Sequence, residues 1–261
     1  MKSRFDSLPT RLRDVSSLKE ISGVPCLLSI IDEKPRPFLL WMHGRTMYKE
    51  LDPGRYLRCV RKGINVCAVD LPFHGERFNE KQNDEAYALQ IITQMAEEID
   101  EIINELAMTP YFDTTNCAIG GMSAGGLATS YRLVLPHLFK AAILESTGGQ
   151  WKYLHDNPFF SHLSADEIEA INPMNRIDGW RDIPVLAVHS KHDKRIPYAT
   201  ESDFIEALKA KSNSPEEIEL LSFDNTGAPE EHMGYGRESA FVKETEIEFL
   251  AKYLLGNKLN T

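Results

Sequence analysis

The residues best suited to chemistry form the motif G-M-S-A-G at positions 121–125. A serine with glycines two residues away on either side often occurs by chance, but here an apolar run leads into it and a helical pattern follows. Such a serine sits on a sharp strand-to-helix turn, where the glycines let two backbones pass and the hydroxyl is raised above the sheet. The motif therefore predicts that Ser123 is a nucleophile.

A serine hydroxyl needs a base to remove its proton, and the base works best when a carboxylate orients it. Asp193 and His232 follow two later apolar runs, each in a loop at the predicted end of a strand. Catalytic groups gather at the carboxyl ends of parallel strands, so we predict a triad of Ser123, Asp193 and His232. Glu145, just past another predicted strand, is the alternative acid.

These residues require a sheet that brings several strand ends together, and the sequence has the corresponding pattern. The strand candidates are Cys26–Ile31, Phe38–Met42, Ile64–Val69, Asn116–Met122, Ala141–Leu144, Val185–His189 and Ile218–Phe223. Helical periodicity covers Arg55–Arg61, Glu85–Leu106, Leu127–Leu135, Glu201–Ala210 and Phe241–Leu255. Most strand candidates are continuous apolar runs, and their alternation with helices predicts a mostly parallel sheet with helices on both faces. We expect one α/β domain over residues 1–261.

One segment, approximately residues 149–183, interrupts this alternation and is rich in aromatic side chains. It predicts a small helical cap over a pocket, in which Trp151, Phe159 and Phe160 would contact the substrate together with Met122. The alternative is that these rings only anchor the insertion to the body of the domain.

Composition narrows the class of protein. The 29 basic and 39 acidic residues give a net charge of −10, and no basic stripe reverses that sign, so nucleic acid and anionic membranes are unexpected partners. Apolar runs are far shorter than the roughly 20 residues that span a bilayer, and the first residues lack a secretory signal, so we expect a cytoplasmic protein. The four cysteines lack C-x-x-C spacing, which favours buried thiols over a disulfide or zinc site.

Four features together resemble the α/β-hydrolase superfamily: M-H-G at 42–44, the serine motif, the run 189–197 and Glu231-His232. The closer likeness is to dienelactone hydrolases, small bacterial carboxylesterases and prolyl-oligopeptidase-type peptidases. That branch often writes its acid region as H-G-x-x-D-x-x-V-P, and residues 189–197 read H-S-K-H-D-K-R-I-P. The resemblance spans residues 26–255, with serine where true dienelactone hydrolases carry cysteine.

The resemblance implies an α/β-hydrolase fold and an oxyanion hole formed by the amides of Ala124 and Arg45. The H-G-G-G motif of one esterase branch is absent, because Arg45 and Thr46 follow His43-Gly44. It also implies hydrolysis of a small-molecule carboxylic ester through an acyl-enzyme, without metal or cofactor, and a short cap favours small to medium acyl chains. A thioesterase, deacetylase or small peptidase would use the same residues, and a non-catalytic ligand-binding protein on this fold is the alternative of another class.

Overall fold

The computed structural model describes residues 3–158 and 160–256. In this part of the chain one eight-stranded sheet has the order β1-β2-β4-β3-β5-β6-β7-β8. Only the pairings of β2 with β1 and with β4 are antiparallel; the others are parallel. The strands are β1 (Ser16–Ile21), β2 (Val24–Ser29), β3 (Arg36–Met42), β4 (Asn65–Val69), β5 (Phe112–Met122), β6 (Ala141–Glu145), β7 (Val185–Ser190) and β8 (Ile218–Phe223).

The α-helices are α1 (Thr10–Arg13), α2 (Pro53–Lys62), α3 (Ala88–Ala107), α4 (Ala124–Leu133), α5 (Ala165–Ile171), α6 (Tyr198–Lys211) and α7 (Ser239–Leu255). Short 3-10 helices occupy Phe5–Ser7, Gly75–Arg77, Glu80–Asn83, Glu85–Tyr87, Trp151–Leu154, Pro173–Gly179, Pro215–Glu217, Pro229–Glu231 and Gly236–Glu238. None of the helices in the described ranges is both long and apolar enough to cross a membrane.

The sheet is covered on both faces, as the continuous apolar strand patterns predicted. Side chains alternate along β3, so that Phe38 and Leu40 join the core beneath α3, α4 and α6, whereas Leu39 and Trp41 join the core beneath α1, α2 and α7. Fully buried strands explain why the pattern was readable, since both faces of each central strand must be apolar.

The structure adds elements that apolar patterning did not predict. β1 is an edge strand whose residues are largely exposed and polar, so it carries no apolar run. α1 and α5 are too short to display helical periodicity. α6 begins at Tyr198, directly after Pro197, rather than at Glu201.

Trp151 and Phe160 of the 149–183 insertion pack into the domain core. Trp151 and Phe160 are completely buried. Trp151 stacks against Tyr131 of α4 with ring centroids 5.9 Å apart, and its indole N–H donates to the Gly148 carbonyl at 2.9 Å. The Phe160 ring is tilted against Trp151, with centroids 5.5 Å apart. Both rings therefore anchor the insertion to the body of the domain, which is the alternative interpretation of the sequence.

Candidate active site

Ser123 occupies the turn from β5 into α4 with φ 52° and ψ −117°, a conformation that side chains rarely adopt. A Cβ at Gly121 would lie 2.4 Å from the Gly125 carbonyl carbon, and one at Gly125 would lie 2.4 Å from the Met42 oxygen. Only glycine fits at both positions, because strand and helix backbones pass this closely. The Ser123 N–H donates to the Glu145 carbonyl at 2.9 Å, which ties the turn to β6.

The three residues predicted to act together lie in one hydrogen-bonded row. The His232 Nε2 is 2.9 Å from the Ser123 Oγ, and its Nδ1 is 2.7 Å from the Asp193 Oδ2. Because the ionised Asp193 carboxylate can only accept hydrogen bonds, Nδ1 carries the ring proton and Nε2 is left to accept the serine hydroxyl proton. This is the tautomer that a general base requires.

The Asp193 carboxylate is held from both of its oxygens. Oδ1 accepts the backbone N–H groups of Arg195 at 2.7 Å and Ile196 at 2.9 Å, and Oδ2 faces His232. Burial favours the neutral acid, but hydrogen bonds from His189 and His232 outweigh it and lower the pKa of Asp193. The side chain is thus an ionised carboxylate in a fixed orientation.

Glu145, the alternative acid, faces a different partner. Its carboxylate accepts from the Arg55 Nη2 at 2.6 Å, and Arg55 also pairs with Glu246 and Asp52. The guanidinium lies over the Trp41 ring at 3.7 Å from the ring centroid. Of the two candidate acids, Asp193 is therefore the one in contact with the imidazole.

Glu231 fixes the loop that carries His232. Its Oε2 accepts from the Ser190 hydroxyl at 2.8 Å, the Thr226 N–H at 2.7 Å and the Thr226 hydroxyl at 2.9 Å, while Oε1 accepts from the Gly227 N–H at 2.8 Å. Burial alone would raise the pKa of Glu231, but these hydrogen bonds to the carboxylate lower it to about 2. The bond to Ser190 joins this loop to the end of β7, beside the loop of the acid.

The predicted oxyanion donors flank the serine. Ala124 is the first residue of α4, so its amide lies at a helix N-terminus where negative charge is stabilised. The loop after β3 passes alongside, since a Cβ on Gly44 would lie 3.5 Å from the Ser123 Cβ. Arg45 lines the same cavity as Ser123, its Nε donates to the Gln82 carbonyl at 2.7 Å, and burial lowers the pKa of its guanidinium. The role of the two amides stays a prediction.

Two buried histidines near the site make structural hydrogen bonds. The His43 Nδ1 donates to the Gly44 carbonyl at 2.7 Å and its Nε2 accepts the Leu71 N–H at 3.1 Å, which leaves a neutral ring. Burial lowers the pKa of His43 to about 4. His74 donates from Nδ1 to the Pro72 carbonyl at 2.7 Å, and burial also lowers its pKa. Both rings hydrogen-bond to backbone groups, whereas His232 is the histidine that contacts the Ser123 hydroxyl.

A cavity of about 740 Å³ opens from Ser123 and His232 toward the loop after β3 and the start of α2. Its apolar and aromatic lining is formed by Trp41, Met47, Tyr48, Leu51, Tyr56, Met122 and Met233. Charged lining side chains belong to Arg45, Asp52, Glu85, Glu145, Arg195 and Lys243. A volume of this size suits a small organic ligand.

The cavity contains one of the described residues that were predicted to contact the substrate. Met122 lines it, but Trp151 and Phe160 do not, because the Trp151 ring is buried between Tyr131 of α4 and Phe160, and Phe160 is buried beside Trp151. Phe159 lies outside the described residues. Part of the cavity wall comes instead from the loop after β3, which contributes Met47 and Leu51. These apolar side chains, in a loop that begins beside the nucleophile, are the sequence feature that could have predicted this wall.

Comparison with known proteins supplies a family. The profile of the prolyl oligopeptidase family matches residues 56–257. The Bacillus subtilis (strain 168) protein named "Putative esterase YitV" is 25% identical over 228 residues, which make up 78% of this chain and 89% of that protein.

Solved structures of similar shape confirm the predicted α/β-hydrolase fold. TT1662 from Thermus thermophilus has a TM-score of 0.70 at 20% identity, over 92% of this chain and 97% of that chain. Pyrococcus horikoshii acylaminoacyl peptidase has a TM-score of 0.72 at 19% identity, over 98% of this chain but 44% of the peptidase chain. The likeness to the peptidase thus covers less than half of that protein.

Glu231→Gln should destabilise the protein in a pH-dependent way. The folded-state pKa of about 2 is below the ordinary value of 4.5, so Glu231 stabilises the fold above pH 4.5 and loses this contribution as pH falls toward 2. We expect urea titrations to give a free energy of unfolding lower by about 1–3 kcal/mol at pH 7. The difference in free energy of unfolding between parent and variant should shrink at pH values below 4.5, the ordinary pKa of a glutamate.

The control is Glu97→Gln, which changes an exposed glutamate on α3 and should leave the free energy of unfolding nearly unaltered. A Glu231→Gln effect of equal size at neutral and acidic pH would contradict the assigned ionisation.

Proposed function

The chain belongs to the prolyl oligopeptidase family, whose members are serine hydrolases, and on that premise we propose that it hydrolyses carboxylic esters of small to medium acyl chains. The observation that carries the proposal is the row Ser123–His232–Asp193, with 2.9 Å and 2.7 Å separations, next to a cavity lined by apolar, aromatic and charged side chains. We expect the protein to act in the cytoplasm.

The proposed reaction proceeds through an acyl-enzyme. As the Ser123 Oγ attacks the ester carbonyl carbon, His232 Nε2 takes the hydroxyl proton, and the new charge on the carbonyl oxygen rests on the amides of Ala124 and Arg45. The tetrahedral intermediate collapses, the C–O bond to the alcohol breaks, and the imidazolium returns the proton to the leaving oxygen. Water then attacks the acyl group by the same steps, releasing a carboxylic acid and restoring Ser123.

The cavity supports an ester with an apolar acyl group. Beside its charged residues, its lining includes methionine, leucine and aromatic side chains, which favour burial of a hydrocarbon chain at about 25 cal/mol per Å². The name of the Bacillus subtilis relative, an esterase, agrees with this choice.

A peptidase is the second candidate, because the family description and the Pyrococcus horikoshii structure both name peptidases. The discriminating experiment is a panel of p-nitrophenyl esters from acetyl to decanoyl, with matched acyl thioesters and aminoacyl amides. The proposal expects the highest kcat/KM among the esters. Preference for aminoacyl amides would favour the peptidase, and no hydrolysis of any member would favour a ligand-binding protein.

Ser123→Ala should lower kcat on the best ester by about 10⁴-fold or more, since the other triad members cannot act without the nucleophile. Ser130→Ala is the matched control: it removes a buried serine of α4 whose hydroxyl bonds to the Gly126 carbonyl at 3.1 Å. Its activity should stay near that of the parent. Turnover that survives in folded Ser123→Ala would rule out the assignment.

Met47→Trp should shift the chain-length preference toward shorter esters. Met47 is partly exposed on the cavity wall, so a larger ring there would fill the space that a longer acyl chain needs. We expect the ratio of kcat/KM for the decanoyl ester to kcat/KM for the acetyl ester to fall about 10–200-fold, which corresponds to about 1–3 kcal/mol of transition-state binding.

Tyr153→Ala serves as the control for the insertion. Tyr153 is an exposed ring of the 149–183 segment and is absent from the cavity lining, so its truncation should leave the chain-length profile unchanged. If the chain-length profile changed in Tyr153→Ala and not in Met47→Trp, the 149–183 insertion and not the loop after β3 would contact the acyl chain.

A further inference from the structure

A second imidazole lies behind the acid of the row. His189, near the end of β7, is completely buried, and its Nε2 is 3.3 Å from the Asp193 Oδ2 and 3.0 Å from the Ile196 carbonyl. Its Nδ1 is 2.6 Å from the Oε2 of Glu201, a completely buried residue of α6. The row therefore continues from Asp193 through His189 to Glu201.

The partners of His189 fix where its protons are. Nε2 faces a carbonyl and a carboxylate, both acceptors, so it carries a hydrogen. Nδ1 faces the Glu201 side chain at hydrogen-bond distance. Burial disfavours the charged ring, but the hydrogen bonds and charges of Asp193 and Glu201 outweigh it and raise the pKa of His189 to about 9. At neutral pH the raised pKa favours the imidazolium form of His189, next to the ionised Asp193 carboxylate.

The surroundings leave these two carboxylates as the close charged neighbours of His189. The Tyr198 ring also contacts His189, edge-on, with centroids 5.7 Å apart. Burial raises the pKa of Glu201 to about 7 against the hydrogen bond and charge of His189, and the charges of Asp193 and Glu145 add to this rise. On the other side of Asp193, His232 shares the same Oδ2 atom. One carboxylate oxygen is thus placed between two imidazoles.

We propose that His189, held by Glu201, is a positioning residue that orients Asp193 and sets the pH range in which His232 acts as a base. The inference rests on the proposed function, since it takes His232 as the general base. Asp193 Oδ1 is already fixed by two backbone N–H groups, so the distinctive contribution of His189 is its charge next to Oδ2. A positive charge there offsets the attraction that Asp193 exerts on a protonated His232, so the base becomes free at lower pH.

The test is the pH dependence of kcat/KM on an activated ester for His189→Gln and Glu201→Gln. His189→Gln keeps a side-chain N–H donor but removes the charge, and Glu201→Gln removes the carboxylate that keeps His189 charged. The midpoint of the rising limb should move to higher pH by about 0.5–1 unit, which lowers activity on the acidic limb by about 3–10-fold. Activity on the alkaline plateau should stay within about 3-fold of the parent, since Asp193 keeps its backbone hydrogen bonds.

His137→Gln is the matched control, because it removes another histidine whose ring nitrogens are buried and whose ring lies beside Phe139, with centroids 5.5 Å apart. Its midpoint should equal that of the parent. A loss of equal size at every pH, an unchanged midpoint or a midpoint moved to lower pH in the His189 and Glu201 variants would overturn the proposal. So would failure of both variants to fold by circular dichroism, which would make the pair purely structural.

Failure of the proposed function has a different signature. In that case the parent protein hydrolyses no ester at any pH, or Ser123→Ala remains active. If activity requires Ser123 but the pH midpoint is unchanged in the His189 and Glu201 variants, only the role proposed for His189 is refuted.

Discussion

At Ser123 the backbone turns from β5 into α4 through a positive φ, and the geometry of the site depends on that turn. Such a conformation costs on the order of 1–3 kcal/mol and persists only where the surroundings over-determine it. Here the surroundings are buried helix α4, the glycines that let it approach β3 and β5, and the hydrogen bond from the Ser123 N–H to β6. The same turn directs the Ser123 hydroxyl toward His232 and starts α4 at Ala124.

Asp193 and His232 lie near this turn because their loops leave the same carboxyl edge of the sheet. β7 and β8 are parallel neighbours, so the loops that follow them emerge side by side. The bond from Ser190 to Glu231 joins those loops, and the Lys194 N–H donates to the Glu230 carbonyl at 3.0 Å. Acid and base are therefore fixed relative to each other by contacts that do not involve the serine. The buried His189–Glu201 pair extends the same arrangement into α6.

How far the sequence predicts this molecule depends on how local each signal is. The positions of the central strands could be predicted because burial on both faces demands continuous apolar runs. The proximity of Ser123, Asp193 and His232 could be predicted because the strand ends converge. The polar edge strand β1 carries no such run. Aromatic density at Trp151 and Phe160 does not reveal which way the rings point, and here they point into the core. The His189–Glu201 contact joins a strand to a helix, and only the packed fold brings them together.

The central claim is that the Ser123 oxygen is an activated nucleophile, and covalent labelling tests it most directly. A serine-directed fluorophosphonate reacts fastest with a hydroxyl whose proton a neighbouring base can remove. Intact-mass and peptide mapping of the treated protein should find one adduct, on the peptide that contains Ser123, formed more slowly after Asp193→Asn because the amide can hold the wrong imidazole tautomer. No adduct, or an adduct on a different residue, would contradict the account.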